Sequence, residues 1–139
     1  MKVQDKVLLK LEEMKRYITE LEDTIPDEDT YHQNRVVRRA CEKTIELAIE
    51  MVIDIISLLV SSQRLGLPQS EDDLIDILIR KKILSGELGA RIHNLKGFRN
   101  ILVHRYGQVD DSKSYLFLTQ ELGDFTRFEQ EIKKYIYKQ

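Results

Sequence analysis

Four side chains in residues 99–106 carry the groups of this sequence that are best suited to chemistry: Arg99, Asn100, His104 and Tyr106. An imidazole with an ordinary pKa near 6.5 can exchange protons around neutral pH. A lone histidine such as His104 can equally be a surface or capping residue, and Tyr106 can equally be a packing aromatic. Residue types and spacing therefore indicate a candidate site but leave its chemistry open.

The segment ends a predicted helix that spans about residues 87–103. The apolar stripe of this helix is formed by Leu88, Ile92, Leu95, Leu102 and Val103. Arg99 falls in the middle of the stripe, where a guanidinium is costly unless it meets a carboxylate, a phosphate or a water-filled cleft. His104 lies with Asn100 on a different, polar face, about 140° from Arg99 at roughly 100° per residue. Both can serve one site if the helix ends or distorts near Val103, or if the helix end enters a groove.

A purely structural interpretation of Arg99 is an ion pair with an acid of the preceding long helix. The candidate partners there are Glu46, Glu50 and Asp54. Spacing alone does not decide between this ion pair and a role in binding a substrate.

No metal or other cofactor is expected. His32 and His93 show no ligand spacing with His104, and Cys41, the only cysteine, lies in an apolar run that predicts a buried, inert thiol. The chain starts without a secretory signal, and its richest apolar run, residues 51–60, is too short to span a bilayer. We therefore expect a cytoplasmic protein that does not contact membranes.

Length and composition predict a single all-α domain over residues 1–139. Of the 139 residues, 42% are hydrophobic and 33% are charged, with two prolines and six glycines to interrupt helices. The net charge of −2 and the pI near 6.0 exclude a cationic field over the whole chain. If RNA binds, its cationic groove must be local, for example where two subunits pair.

Hydrophobic periodicity predicts a bundle of about five helices with short connections. The second, over residues 30–62, is apolar around more than half of its circumference, which indicates a central helix or a contact with a second subunit. Ser70 and Asp73 have the spacing of a capping box at the start of the third helix. The last helix presents a stripe of Tyr115, Leu118, Leu122, Phe125, Ile132 and Ile136.

Several segments together resemble the HEPN superfamily, in its branch of HepT-like toxins. Arg99, His104 and Tyr106 match the R-x4-H-x-Y signature of that branch. Residues 39–42 (RACE) followed by 45–48 (IELA) resemble its second-helix segment, residues 65–70 (LGLPQS) its loop, and residues 97–100 (GFRN) the approach to its active motif. The resemblance covers most of the chain in the right order.

The resemblance implies a dimeric helical bundle that cleaves RNA without a metal ion, with the two motifs of the dimer facing a shared cleft. Arg99 would then hold and neutralise the scissile phosphate through bidentate donors. His104 would be the general acid or base that assists attack by the ribose 2′-hydroxyl, and Asn100 would orient the imidazole or the substrate. Lys96 and Arg105 are candidate RNA-binding residues that dimerisation would gather in the cleft.

The resemblance also implies a partner, a minimal nucleotidyltransferase antitoxin of the MntA type. This antitoxin would adenylylate Tyr106, and the bulky anionic nucleotide would repel RNA and block the cleft. In many relatives the residue between the histidine and the tyrosine is acidic, whereas in this chain it is Arg105.

The alternative function is a non-catalytic helical adaptor that binds a nucleotide or positions a nucleotidyltransferase. It would use the same cleft and the same arginine without turnover. A purely structural bundle would leave the resemblance of several segments unexplained.

Overall fold

The computed structural model describes residues 1–104 and 106–138, and at Tyr106 it describes the backbone alone. In this part of the chain there are seven α-helices and no strand, so the all-α prediction is confirmed. The helices are α1 (Val3–Thr24), α2 (Glu28–Gln33), α3 (Arg35–Ser62), α4 (Glu71–Arg80), α5 (Gly86–His104), α6 (Asp111–Gln120) and α7 (Gly123–Ile136), with a 3₁₀ turn at Tyr106–Gln108. Each helix contributes buried apolar side chains to a common core.

The helix α3 is the centre of the bundle. It packs against α1, α2, α4 and α5, so its wide apolar surface is buried within one chain. That surface therefore no longer argues for a second subunit. Cys41 on α3 is 1% exposed, which confirms the buried thiol. None of the described helices has both the length and the apolar character needed to cross a membrane.

The predicted long second helix is wrong at its start, because α2 and α3 are separate. The chain leaves helical geometry at Asn34, whose side chain accepts a hydrogen bond from the Val37 N–H at 3.1 Å and so caps α3. Arg38 Nη1 donates to the carbonyls of Tyr31 at 3.0 Å and His32 at 2.8 Å. These bonds satisfy carbonyls at the end of α2 and fix the break.

The predicted last helix is likewise two helices. Between α6 and α7 the N–H groups of Asp124 and Phe125 bond to the carbonyls three residues earlier, each at 3.2 Å, which tightens the chain into a turn. The helix α6 then packs against α2, whereas α7 packs against α1 and α5. The sequence did not predict this turn, because the apolar stripe continues across it.

The contact between α4 and α5 positions the site. At the start of α4, Ser70 Oγ accepts from the Asp73 N–H at 3.1 Å, and the Asp73 carboxylate accepts from the Gln69 N–H at 2.9 Å. The predicted cap is confirmed, with the return bond one residue earlier than in an ideal capping box. Further along, Gly89 lies so close to α4 that a Cβ there would be 2.3 Å from Ile79 Cδ1. Glycine therefore permits the close approach of the two helices.

Candidate active site

A cleft of about 330 Å³ runs along the last turns of α5. Its walls are formed by Glu50 of α3, Glu71 of α4, and Lys96, Arg99, Asn100, Val103 and His104 of α5. The structure thus brings together four of the residues predicted from sequence: Arg99, Asn100, His104 and Lys96. Their catalytic and binding roles remain predictions.

The five α5 residues of the cleft lie on one helical stripe. Lys96, Arg99, Asn100, Val103 and His104 follow the spacing i, i+3, i+4, i+7, i+8. At about 100° per residue, the three intermediate side chains project about 40° to 100° from Arg99, within the 140° that separate Arg99 from His104. The two residues therefore form the edges of one wide face, and no distortion of the helix is required. The helix α5 ends at His104, one residue beyond Val103.

Arg99 is mostly buried and meets a carboxylate, as its place in the apolar stripe requires. Its side chain is 13% exposed, and its Nη2 forms an ion pair with Glu71. Its Nε is buried and has no hydrogen-bond partner among the described residues. The partners considered from sequence, Glu46, Glu50 and Asp54, are wrong, because the carboxylate comes from α4 and not from α3. Glu50 nevertheless lines the same cleft.

A second set of charged side chains on the same two helices extends from Lys96, at the cleft wall, to His93, outside it. Lys96 Nζ lies 2.9 Å from one oxygen of Asp72, and His93 Nδ1 lies 2.8 Å from the other. His93 Nε2 lies 2.8 Å from Asp76. Together with Arg99 and Glu71, three basic side chains of α5 thus face three acids of α4, and we call this arrangement the α4–α5 ladder.

The ladder shifts the pKa values of its members in opposite directions. Burial of the ring disfavours charged His93, but hydrogen bonds to Asp76 and Asp72 outweigh this effect, and the pKa of His93 is raised. Hydrogen bonds from Lys96 and His93 lower the pKa of Asp72. His93, which the sequence placed on the polar face with His104, therefore serves in the ladder and is absent from the walls of the cleft.

His104 and Val103 occupy the open side of the cleft. His104 is exposed, as a group that meets a substrate must be. Val103 is 43% exposed, so its predicted place in the buried stripe is wrong. The buried members of that stripe are Leu88, Ile92, Leu95 and Leu102, which confirms the rest of it.

Two further sequence predictions concern residues next to His104. Arg105 lies outside the described residues, as does the side chain of Tyr106. The backbone of Tyr106 begins the 3₁₀ turn that follows α5. The RNA-binding role of Arg105 and the modification of Tyr106 therefore remain predictions.

Sequence reasoning missed Glu71 as a residue of the cleft, although a signal was present. Glu71 directly follows the capping residue Ser70, so the start of α4 was already placed. The acids of α4 and the basic residues of α5 each recur at spacings that place them on one side of their helix. This pattern would have predicted that the two charged sides face each other. Among the described residues, no group of three or more His, Cys, Asp or Glu side chains is arranged to hold a metal ion.

Comparison with known proteins assigns the family. The chain matches the family described as Ribonuclease HepT-like over residues 14–132. The chain belongs to this family. The resemblance to HepT-like HEPN proteins and the assignment to the ribonucleases are thereby confirmed.

Individual relatives of this HepT-like chain are nucleases of two kinds. The mRNA nuclease HepT of Shewanella oneidensis is 26% identical over 129 residues, which cover 93% of this chain and 97% of that protein. The tRNA nuclease HepT of Aphanizomenon flos-aquae is 25% identical over 95 residues, 68% of this chain and 65% of that protein. The RNA class thus differs between relatives.

A solved structure shares the fold closely. The tri-AMPylated Shewanella oneidensis HEPN toxin in complex with MNT antitoxin superposes with a TM-score of 0.88 at 25% identity, covering 96% of this chain and 99% of that one. That protein is a toxin that is adenylylated and bound to its antitoxin.

Proposed function

We propose that this chain is a metal-independent endoribonuclease toxin that cleaves RNA in the cleft at the end of α5. The observation that carries the proposal is the common stripe of Arg99, Asn100 and His104 along one cleft of about 330 Å³. A mostly buried guanidinium and an exposed imidazole at its two edges can hold a phosphodiester between them. The family and its nuclease relatives support this chemistry.

In the proposed reaction the ribose 2′-oxygen attacks the adjacent phosphorus. A new bond forms between this oxygen and phosphorus, while the bond from phosphorus to the 5′-oxygen breaks. His104 accepts the proton of the 2′-hydroxyl or donates one to the leaving 5′-oxygen. The products are a 2′,3′-cyclic phosphate and a 5′-hydroxyl. Arg99 stabilises the charge that develops on the phosphate oxygens, and Asn100 orients the imidazole or the substrate.

Pairing of two chains would complete the cleft. It would supply a second His104, so that one imidazole serves as base and the other as acid. It would also gather Lys96 and Arg105 of both chains, which creates a local cationic surface on a protein of net charge −2. A monomeric mass at micromolar concentration would contradict this part of the proposal.

The catalytic test compares the wild-type protein with Arg99→Ala and His104→Ala on cellular RNA in the presence of a chelator. We expect cleavage by the wild type and loss of at least about 100-fold in rate for either variant, the usual effect of removing a proton-transfer or charge-stabilising group. Arg91→Ala is the matched control, because Arg91 is also on α5 but pairs with Glu121 and Asp124 away from the cleft. Equal cleavage by all four proteins would refute the assignment.

The proposed regulation is adenylylation of Tyr106 by a minimal nucleotidyltransferase antitoxin. The phenol oxygen would attack the α-phosphorus of ATP, pyrophosphate would leave, and the phenol would lose its proton. The resulting phosphodiester would place a negative charge two residues from His104, where it repels RNA. The adenylylated state of the solved HEPN toxin supports this regulation.

Mass spectrometry after incubation with ATP and the cognate transferase tests the modified residue. We expect adenylate on Tyr106 and none after Tyr106→Phe. Tyr137 is a useful internal control, since it is 67% exposed and available to an unselective transferase. Adenylate on Tyr137 with Tyr106 unmodified would overturn the proposal.

A non-catalytic adaptor is the second candidate, and the ion pair of Arg99 with Glu71 favours it, because a guanidinium that is already paired can be structural. The two candidates differ in cells. Growth inhibition that is lost on His104→Ala, with antitoxin binding intact, supports the enzyme. A wild-type protein that is harmless without the transferase supports the adaptor.

A further inference from the structure

Glu71 is held at the wall of the cleft by the start of α4. It is the first residue of that helix, directly after the capping residue Ser70. The bonds of Ser70 and Asp73 fix the first turn, and a carboxylate at a helix N-terminus is favoured by the helix dipole. These bonds hold the backbone at Glu71 in place, although the Glu71 side chain is 38% exposed.

The contact with Glu71 restricts the conformations of the Arg99 side chain. A free arginine side chain has many rotamers, and ordering them for a substrate opposes binding. Glu71 accepts from the Nη2 nitrogen, while a guanidinium has five N–H donors. Donors thus remain for a phosphate oxygen after the ion pair has formed.

The next acid of α4 repeats the arrangement with the next cation of the cleft. Asp72 holds Lys96, which is 19% exposed in its side chain and also lines the cleft. Two consecutive residues of α4 thus fix two cations of the cleft wall. A single pair would be an ordinary surface ion pair, but the repetition indicates that α4 acts as a support for the cationic side of the cleft.

We propose that Glu71 is a positioning residue of the ribonuclease site, whose carboxylate holds the Arg99 guanidinium in the orientation in which it receives an RNA phosphate. The proposal rests on the proposed ribonuclease function. Glu71 acts through Arg99 and does not itself touch the reacting atoms. The R-x4-H-x-Y signature, which spans residues 99–106, does not include Glu71.

The test compares Glu71→Ala and Glu71→Gln by steady-state cleavage of an RNA oligonucleotide. For Glu71→Ala we expect kcat/KM to fall about tenfold, the factor expected for losing one charge-assisted hydrogen bond. Glu71→Gln retains an oxygen that can accept a hydrogen bond from Arg99, so its kcat/KM should lie within about threefold of the wild-type value. Recovery by the amide would separate positioning from a general effect of charge.

The matched control is Glu87→Ala. Glu87 is also a glutamate in the first turn of a helix and pairs across helices with an arginine, Arg127, at 3.1 Å, but it lies outside the cleft. Glu87→Ala should cleave like the wild type and unfold at a urea concentration similar to that of Glu71→Ala. Equal kcat/KM for Glu71→Ala and Glu87→Ala would overturn the proposal.

Binding of a 2′-O-methyl oligonucleotide distinguishes positioning from the opposite role, in which Glu71 competes with phosphate for Arg99. This probe cannot be cleaved, because its 2′-oxygen carries no proton. Positioning predicts weaker binding by Glu71→Ala. Tighter binding together with faster cleavage in both Glu71 variants would show competition and refute positioning.

A spectroscopic measurement is independent of ribonuclease activity. The Nε–H resonance of Arg99, assigned by its loss in Arg99→Lys, should exchange slowly with water in the wild type because this nitrogen is buried. Its exchange should be much faster in Glu71→Ala and unchanged in Glu87→Ala. If the wild-type protein cleaves no RNA, the proposed function fails, while this measurement still decides whether Glu71 holds Arg99. Unchanged exchange in Glu71→Ala would refute the positioning role.

Discussion

The two ends of α5 differ in how completely they are packed. The first half of the helix is enclosed: Ile92 is fully buried, and Gly89 lies directly against Ile79 of α4. Ser85, just before the helix, accepts from the Leu88 N–H at 3.2 Å. The last turns are open, with Ile101 40% exposed and Val103 43% exposed.

The difference shows how one helix can serve as scaffold and site. The enclosed half fixes the helix axis, so the open half can present side chains to a substrate without a loop to carry them. On the open half, two cations of α5 are paired with acids of α4: Lys96 with Asp72 and Arg99 with Glu71. We therefore expect substitutions in the enclosed half to change stability. In the last turns, substitutions of the cleft residues should change activity, whereas Leu102 remains part of the buried stripe.

The largest contrast should come from two isoleucines of the same helix. Ile92→Ala removes a fully buried side chain and should destabilise the protein by about 3 kcal/mol, within the range for cavities in a core. Ile101→Ala, at a residue that is 40% exposed, should change the free energy of unfolding by no more than about 0.5 kcal/mol. Urea unfolding measures both, and similar losses would show that the open end is packed in solution, as in a dimer.

Two glycines of α5 provide the next contrast, with opposite signs. Gly97→Ala meets nothing within 4 Å and should stabilise the helix by up to about 1 kcal/mol. Gly89→Ala gains the same helix propensity, but its Cβ would lie 2.6 Å from Ile79 Cγ1. The resulting strain, about 1–3 kcal/mol, should make this variant less stable than the wild type. Thermal unfolding that shifts both variants in one direction would contradict the contrast.

The difference between the two ends also explains what the sequence could predict. Periodicity found the enclosed half, because burial imposes a regular stripe, and Leu88, Ile92 and Leu95 are all buried. It failed at Val103, since an apolar residue at an open cleft has the same spacing as one in a core. Arg99 was predicted to meet a carboxylate, a phosphate or a water-filled cleft, and the structure shows the carboxylate of Glu71.

The identity of that counterion could not be predicted, because it depends on how α4 and α5 approach each other. The acids of α3 were plausible by sequence, whereas the close approach at Gly89 brings Glu71 of α4 to Arg99 instead. The breaks at Asn34 and between α6 and α7 were missed for a related reason. Each is fixed by hydrogen bonds or packing that the hydrophobic pattern does not reflect.

Two serine caps separate stability from activity. Ser70→Ala and Ser85→Ala each remove a side-chain acceptor at the start of a helix, and each should destabilise by about 1 kcal/mol. Only Ser70→Ala disturbs the turn that carries Glu71, so only this variant should also show reduced kcat/KM at a temperature where both are fully folded. Equal activity of the two variants would mean that α4 does not support the cleft.

The smallest effect concerns the pH dependence of the α4–α5 ladder. Because the pKa of His93 is raised in the folded state, its ion pairs stabilise the protein fully below the unfolded pKa of about 6.5. This stabilisation is lost as the pH rises through the folded pKa. The free energy difference between the wild type and His93→Gln should therefore be up to about 1 kcal/mol near pH 6 and smaller near pH 9.

Asp76→Asn sharpens this prediction because it removes one of the two carboxylates that face His93. His93 would then keep Asp72 as a partner, but Asp72 also pairs with Lys96. The positive charge of Lys96 disfavours a second positive charge on the His93 ring. The pKa of His93, followed by NMR titration of its ring protons, should fall in this variant, since burial of the ring then meets less opposition. An unchanged pKa would show that Asp72 alone holds the proton on His93, and that the ladder ends at Asp72 and does not extend to Asp76.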